Sequence, residues 1–351
     1  MYPRITIDLK KFKHNVNTLV KLAHQHNHTM MGVTKVFCAD QKLIDVYNES
    51  NVDYLADSRL ENLLKMETDK PKVLLRLPML SEIDVLVSQV DISLNSELTT
   101  IQKINESAQR QGKKHKVILM IDLGDLREGI YTEKELNYVV HEVMKLPHII
   151  LEGIGTNLTC YGGIIPSVET LEKLVAFKVK IEHLTGKPLN IISGGNSSNL
   201  ELLKSNQIPS GVNNIRLGES TVIGRETAYG KMYDNLFNDV FVLEAEVIEN
   251  KVKPSVPIGQ IGMDAFGNTP SFEDKGKLER VILAVGKQDV NHNELIPFDR
   301  VEVLGSSSDH LIVNASQSGK TYQVGDVLKF KLTYPAILTL MTSVYVVKHY
   351  V

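Results

Sequence analysis

A chain of 351 residues with 42% hydrophobic content and a mean hydropathy near zero can bury a large core, and its length suits one large domain plus a smaller one. A formal charge of −3, with the lysines scattered, gives no electrostatic case for nucleic acid or an anionic membrane surface. The N-terminal stretch lacks a signal-peptide core, no later run is long and apolar enough to span a bilayer, and Cys38 and Cys160 stand far apart without metal-ligand spacing; the expectation is a cytoplasmic protein with neither disulfide framework nor metal.

Along the first two thirds of the chain one alternation repeats. A helix-period segment over Asp8–Asn27, with Leu9, Phe12, Val16, Leu19, Val20, Leu22 and Ala23 as its apolar face, leads into the β-rich run His28–Phe37. Further short apolar strands read at Asp53–Asp57, Val73–Pro78, Ile92–Asn95, Lys116–Leu123, Leu151–Leu158, Asn190–Gly194 and Asn214–Leu217. Amphipathic segments such as Glu97–Gln111, Glu133–Lys145 and Val168–Thr185 separate them. Eight β/α units over residues 1–230 predict a parallel (β/α)8 TIM-type barrel, with an open doubly wound sheet as the competing arrangement.

After Gly230 the texture changes. Short alternating runs rich in β-branched residues (VFVLEAEVI, ERVILAVG, DRVEVLG, DHLIVNA, GDVLKFKLTY, TLMTSVYVV) predict a smaller, mainly β domain over residues 231–351, its body starting at Asp239 after the joining segment Tyr229–Asn238.

In a barrel of this kind the chemistry sits at the C-terminal ends of the strands and in the loops that follow. Lys35 closes the first strand in GVTKVFCAD, where an ammonium taken out of water is either snorkelling or chemically employed. The fifth strand ends in IDLGDLREGI with Asp122, Asp125 and Arg127, and the sixth in GIGTNLTCYGG with Asn157, Thr159, Cys160 and Tyr161. SGGNSSNL after the seventh strand and IRLGES after the eighth set two glycine-bearing turns side by side. There, backbone N–H groups with the hydroxyls of Ser197 and Ser198 can hold a phosphate dianion, or Asn196 and its neighbours simply cap the next helix.

A lysine on strand one, Arg216 on strand eight and this phosphate cup together resemble the fold type III, pyridoxal-phosphate-dependent alanine racemase family. The resemblance covers nearly the whole chain: Ile7, Asp8 and Asn15 at the start, Lys35, IDLGDLREGI, the TN after strand six, GGNSS, IRLG, and then GKQD, GSSSDHL, VGD and TYPAIL in the β domain. It implies that Lys35 bonds the cofactor's aldehyde carbon and serves as one acid/base group. It further implies that Arg216 hydrogen-bonds the pyridine nitrogen and that Arg127 lies near the cofactor's phenolic oxygen and the substrate carboxylate. Asn196, Ser197, Gly218, the backbone of Glu219 and Tyr334 match the phosphate site, and Asn157 stands where the family usually has a ring-stacking histidine. A homodimer with the active site shared between subunits is implied as well.

Departures from the family pattern bear on mechanism. The tyrosine usual shortly after the lysine is absent from Val36-Phe37-Cys38-Ala39-Asp40, and the tyrosine of the family's second base is replaced by Lys287 in Gly286-Lys287-Gln288-Asp289-Val290. Lys287 is the candidate second base or a substrate-carboxylate ligand, with Ser307 as an alternative acting through water. Asp289 and Asp309 are candidates to pair with the distal ammonium of a diamino acid. GVTKVFCAD, GKQDV and SSSDHL look most like the ornithine racemase branch; alanine, serine, lysine or broad specificity and a non-catalytic cofactor carrier stand as alternatives. A fold type III decarboxylase would bring a cysteine in the β domain, and an aldolase of this fold a paired His/Cys metal site; this sequence shows neither.

Overall fold

The computed structural model describes residues 1–264 and 266–351. Two units result, Lys10–Phe237 and a second made of Met1–Leu9 with Asn238–Val351. The chain opens with strand β1 (Arg4–Ile7), which belongs to the second unit, followed by the helix Leu9–Gln25.

In the first unit β2 (Thr29–Val33), β3 (Tyr54–Asp57), β4 (Lys72–Leu74), β5 (Ile92–Asn95), β6 (His115–Met120), β7 (Ile149–Gly155), β8 (Ile191–Ser193) and β9 (Asn214–Leu217) form a closed parallel barrel in that order. The ring closes where β9 pairs with β2, Thr29 beside Asn214 and Met31 beside Arg216, and this pairing excludes the open doubly wound sheet. Met31, Val33, Ala56, Val73, Ile92, Leu94, Ile118, Met120 and Ile191 form one apolar cluster drawn only from strands, which therefore fills the lumen. A second cluster joins strand residues such as Leu119 and Ile154 to Leu136, Val140, Leu171 and Leu174 of the surrounding helices. At Gly153 on β7 an added Cβ would lie 1.8 Å from the Ile191 carbonyl oxygen, so only glycine lets β7 and β8 approach as they do.

The helices stop where local chemistry says they should. Ser167 caps the helix Val168–Thr185 by accepting from the Thr170 N–H, and Gly186 ends it in the left-handed region at φ +65°. Several strands are shorter than sequence periodicity suggests: β4 stops at Leu74, before the Pro78 that cannot donate to a ladder, and β2 stops at Val33, where Lys35–Phe37 turns into a single 3₁₀ turn.

In the second unit β10 (Phe241–Pro254), β11 (Lys277–Leu283), β12 (Leu295–Pro297), β13 (Glu302–Ser306), β14 (Leu311–Asn314) and β15 (Val327–Leu332) lie in the order β12-β15-β10-β11-β14-β13. β1 pairs antiparallel with β10 and parallel with β16 (Val347–Tyr350). The expected boundary is thereby corrected: β1 is β-domain structure, because its alternation buries Ile5 and Ile7 against that sheet and Arg4 Nε meets the buried Glu244 carboxylate at 2.5 Å. TLMTSVYVV is likewise not one strand. Thr333 caps a helix over Tyr334–Thr342, with proline in its first turn and Ala336, Ile337, Leu340 and Met341 buried, and the strand begins only at Val347. No helix among the described residues is long and apolar enough to cross a membrane, and no group of potential ligands among them could hold a metal ion.

Candidate active site

Lys35 heads the 3₁₀ turn after β2, two residues beyond the strand. The turn is locked by Ala39 N–H donating to the Thr34 carbonyl at 3.3 Å, with Cys38 and Ala39 both at positive φ. Thr34 Oγ1 in turn donates to the fully buried Asp57 at 2.5 Å, which stitches the ends of β2 and β3 together. The Lys35 ammonium has no hydrogen-bond or ion-pair partner among the described residues. Burial lowers its pKa below the ordinary lysine value, and the charges of Arg127 and Arg216 add to that against the opposing influence of Cys160 and Asp57. Asp57 is a participant that sequence reading missed; desolvation raises its pKa despite hydrogen bonds from Thr34, Asn62 and the Arg59 N–H.

Arg216, on β9, is 3% exposed and has no carboxylate partner among the described residues. Nη1 donates to Ser193 Oγ at 2.5 Å, and Nη2 donates to the Thr156 carbonyl at 2.8 Å and to Asn157 Oδ1 at 2.5 Å. Desolvation lowers its pKa to about 10, which still leaves it cationic at neutral pH. One Nη1 hydrogen and the Nε hydrogen have no acceptor among the described residues. From the far side Asn157 Nδ2 donates to Glu128, whose carboxylate also takes two hydrogen bonds from Arg127. Arg127 thus pairs with Glu128 and not with Asp125. The buried Asp125 side chain instead accepts from the N–H groups of Cys160, Tyr161 and Ile164, at 2.9–3.1 Å, and shapes the loop after β7.

The turns after β8 and β9 meet as expected. Ser197 and Ser220 share a hydrogen bond of 3.1 Å, Asn196 caps its turn by accepting from Ser198 N–H, and Asn196 Nδ2 reaches the Leu158 carbonyl and Cys160 Sγ. At Gly218 a Cβ would press on Val33 at 3.0 Å, so glycine brings this turn against the end of β2. The Glu219 side chain pairs with Arg225 at 2.6 Å and leaves its backbone to the cup. Ser198 Oγ is buried with no partner among the described residues, an orphaned hydroxyl in a cup of the right composition for an anion. Where the sequence lacks the expected tyrosine, Tyr47 from the next helix places its buried hydroxyl 3.3 Å from Thr221 Oγ1, behind the cup. Gly32 on β2 makes room for its ring, which no spacing rule could have disclosed. Cys160 is exposed.

Tyr334, Lys287, Asp289, Ser307 and Asp309 belong to the second unit. Lys287 and Ser307 sit side by side, the Lys287 N–H donating to the Ser307 carbonyl at 2.9 Å, and Lys287 Nζ lies 3.7 Å from the centroid of the Phe266 ring. Asp309 is exposed and Tyr334, which opens its helix, is half-buried. Asp289, expected as a substrate ligand, is 7% exposed and accepts from Ser343 Oγ at 2.6 Å inside its own unit.

Residues 7–225 match the family described as alanine racemase, N-terminal domain. The chain belongs to the alanine racemase family. It is 45% identical over 350 residues to the ornithine racemase of Acetoanaerobium sticklandii, covering 99% of each chain. It is also 40% identical over 354 residues to the lysine racemase of Thermotoga maritima, covering 100% of this chain and 99% of that one. Among solved structures, the alanine racemase of Bartonella henselae with covalently bound pyridoxal phosphate superposes with a TM-score of 0.75 at 17% identity, the whole of each chain being covered. Membership makes the protein an isomerase of the racemase type, and the mainly β second unit is part of the shared architecture.

Proposed function

We propose that the protein is a pyridoxal-phosphate-dependent amino-acid racemase whose substrate is ornithine. The observation that carries the cofactor chemistry is Lys35: a lysine just past a strand end with a lowered pKa and no partner for its ammonium among the described residues, grouped with the buried cation Arg216 and with a cup that holds an orphaned serine hydroxyl; the 45% identity to an ornithine racemase supports ornithine as the substrate. The residues present fit the cofactor. Ser197, Ser198 and the backbone at Gly218 and Glu219 would hold its phosphate, Arg216 its ring nitrogen, and Lys35 its aldehyde carbon. When bound, the cofactor supplies the electron sink for the pair left at Cα when a proton departs.

Arg216 stays protonated and would donate a hydrogen bond to the ring nitrogen without giving up its proton, which would favour return of the proton to Cα over transfer elsewhere. Arg127 takes the substrate carboxylate. Lys35 accepts or returns the Cα proton on one face, and its lowered pKa makes the neutral amine accessible nearer to physiological pH. Racemisation needs a second group on the opposite face, because one base returns the proton mainly to the side it left. Lys287 fills that role in a homodimer in which the second unit of one copy serves the barrel of the other; its exposure and its pairing with the Ser307 loop support this reading. Asp309, exposed on the neighbouring turn, receives the distal ammonium of the diamino acid.

The test is a chiral assay of the protein with pyridoxal phosphate and L-ornithine, L-lysine, L-alanine or L-serine, with Lys35→Ala as control. D-Ornithine should appear fastest and should vanish in the variant. D-Lysine as the dominant product would move the substrate to the longer diamino acid, and cofactor capture without racemisation of any of the four would overturn the racemase reading.

A further inference from the structure

At the mouth of the barrel, the carboxylates Asp57, Asp122 and Asp125 are held largely by backbone N–H groups or by neighbours on their own turns. Asp122 accepts from the Gly124 and Leu126 N–H, and Asp57 from Thr34, Arg59 N–H and Asn62. Glu128 differs. Its side chain is 15% exposed and its hydrogen bonds come from two side chains assigned above to cofactor and substrate: Arg127 through Nε and Nη2, and Asn157 through Nδ2. A primary amide offers donors at one end and an acceptor at the other, so a carboxylate at the Nδ2 end of Asn157 fixes which end faces Arg216. That end is Oδ1, which accepts from Arg216 Nη2 at 2.5 Å. With the amide reversed, two donors would face each other around a buried guanidinium, at the cost of an unsatisfied charged group. Glu128 also supplies negative charge where Lys35, Arg127 and Arg216 act on one another.

We propose that Glu128 is a positioning residue of the racemase site, holding Arg127 in a two-point grip and setting the Asn157 amide so that its carbonyl anchors Arg216. The proposal rests on the racemase reading above. Through Asn157 and Arg216 it predicts an influence on how tightly the cofactor is held, and through Arg127 an influence on capture of the substrate carboxylate.

The variant is Glu128→Gln, with Glu128→Asp beside it. Glu128 Oε1 accepts from both Arg127 Nη2 and Asn157 Nδ2 and Oε2 from Arg127 Nε, so a glutamine of the same shape turns its NH₂ toward Arg127 in either orientation, and every bond it keeps to Arg127 or Asn157 loses the acceptor's charge. Two readouts are needed: the dissociation constant for pyridoxal phosphate, from absorbance and fluorescence titration of protein freed of cofactor, and kcat and KM for L-ornithine. Losing a charge-assisted hydrogen bond predicts a rise of about tenfold in both the cofactor dissociation constant and KM, with kcat changing less. Glu128→Asp keeps the charge and should recover part of both. In an Asn157→Ala background, adding Glu128→Gln should leave the cofactor constant within about twofold, since the route to Arg216 is already cut, while the KM effect through Arg127 persists. A parent enzyme that binds cofactor and racemises ornithine, with a Glu128→Gln variant matching it in both constants, would overturn this proposal alone. Multiplicative effects of Glu128→Gln and Asn157→Ala on cofactor binding would do the same. A parent that binds no pyridoxal phosphate would overturn the racemase reading and this proposal with it.

Discussion

His115 makes the stability of the barrel depend on pH in a way that can be worked out beforehand. It opens β6, is 2% exposed, and shares a hydrogen bond of 2.9 Å with Ser93 Oγ, which also accepts from Asn95 Nδ2. Desolvation lowers its pKa from 6.5 to about 4. The folded chain therefore keeps the imidazole neutral at a pH where the unfolded chain already binds a proton. Across the window from pH 6.5 down to about 4 the unfolded state holds the extra proton, so the stability contribution is complete above the window and drains away as pH falls through it. A gap of about 2.5 pH units corresponds to roughly 3 kcal/mol, at a slope of at most about 1.4 kcal/mol per pH unit. Urea unfolding at pH 7.5, 6.5, 5.5 and 4.5 of the parent and of His115→Gln, which keeps a partner for Ser93, separates this residue from the carboxylates that titrate in the same range. The parent should lose stability faster than the variant on acidification. Parallel curves for the two proteins would refute the assignment of a neutral, buried His115.

Other outcomes can be stated briefly. Because burial lowers the Lys35 pKa, protein freed of cofactor should capture pyridoxal phosphate at a rate that reaches its plateau at lower pH than capture by a free lysine amine; stopped-flow absorbance measures it, and a plateau at or above the free-lysine value would count against the site geometry. Gly153→Ala should cost about 3 kcal/mol or more, because the clash with the Ile191 carbonyl is backbone on backbone; thermal unfolding reports it. Asp125→Ala leaves the N–H groups of Cys160, Tyr161 and Ile164 without their acceptor and should cost about 2 kcal/mol, with faster hydrogen exchange confined to that loop. Arg216→Ala leaves Asn157 Oδ1 without its donor, while Ser193 Oγ keeps its bond to Asn214 Oδ1, and should weaken cofactor binding by more than about tenfold, read by fluorescence titration.

Much of this architecture could be read from the residues because parallel strands buried on both faces announce themselves as short apolar runs, and their spacing carries the β/α period. Ile92–Asn95 and Asn214–Leu217 fall where periodicity puts them, and Lys35 and Arg216 stand out as charges at the ends of apolar runs. What escaped depends on long-range pairing. Arg4–Ile7 reads as a leader to the first helix, yet its partners lie more than two hundred residues away. Tyr47 looks like ordinary core until Gly32 and Thr221 place its hydroxyl, and the bond from Ser343 to Asp289 joins residues more than fifty positions apart, which no local spacing shows. Glu128 does not stand out in the sequence, because nothing in its spacing shows that Asn157 meets its carboxylate.

The pairing of β1 has a temporal side. A ribosome releases Arg4–Ile7 first, but β10 and β16, its two partners, emerge only with the last third of the chain. The barrel strands β2–β9 are all encoded between these points, so the barrel can close while the first strand still waits as an unpaired edge. A nascent chain halted near Phe237 should then hold a folded barrel with a loose, protease-sensitive N-terminal arm. That arm gains its first partner when β10 emerges and its second only when synthesis has passed Val347.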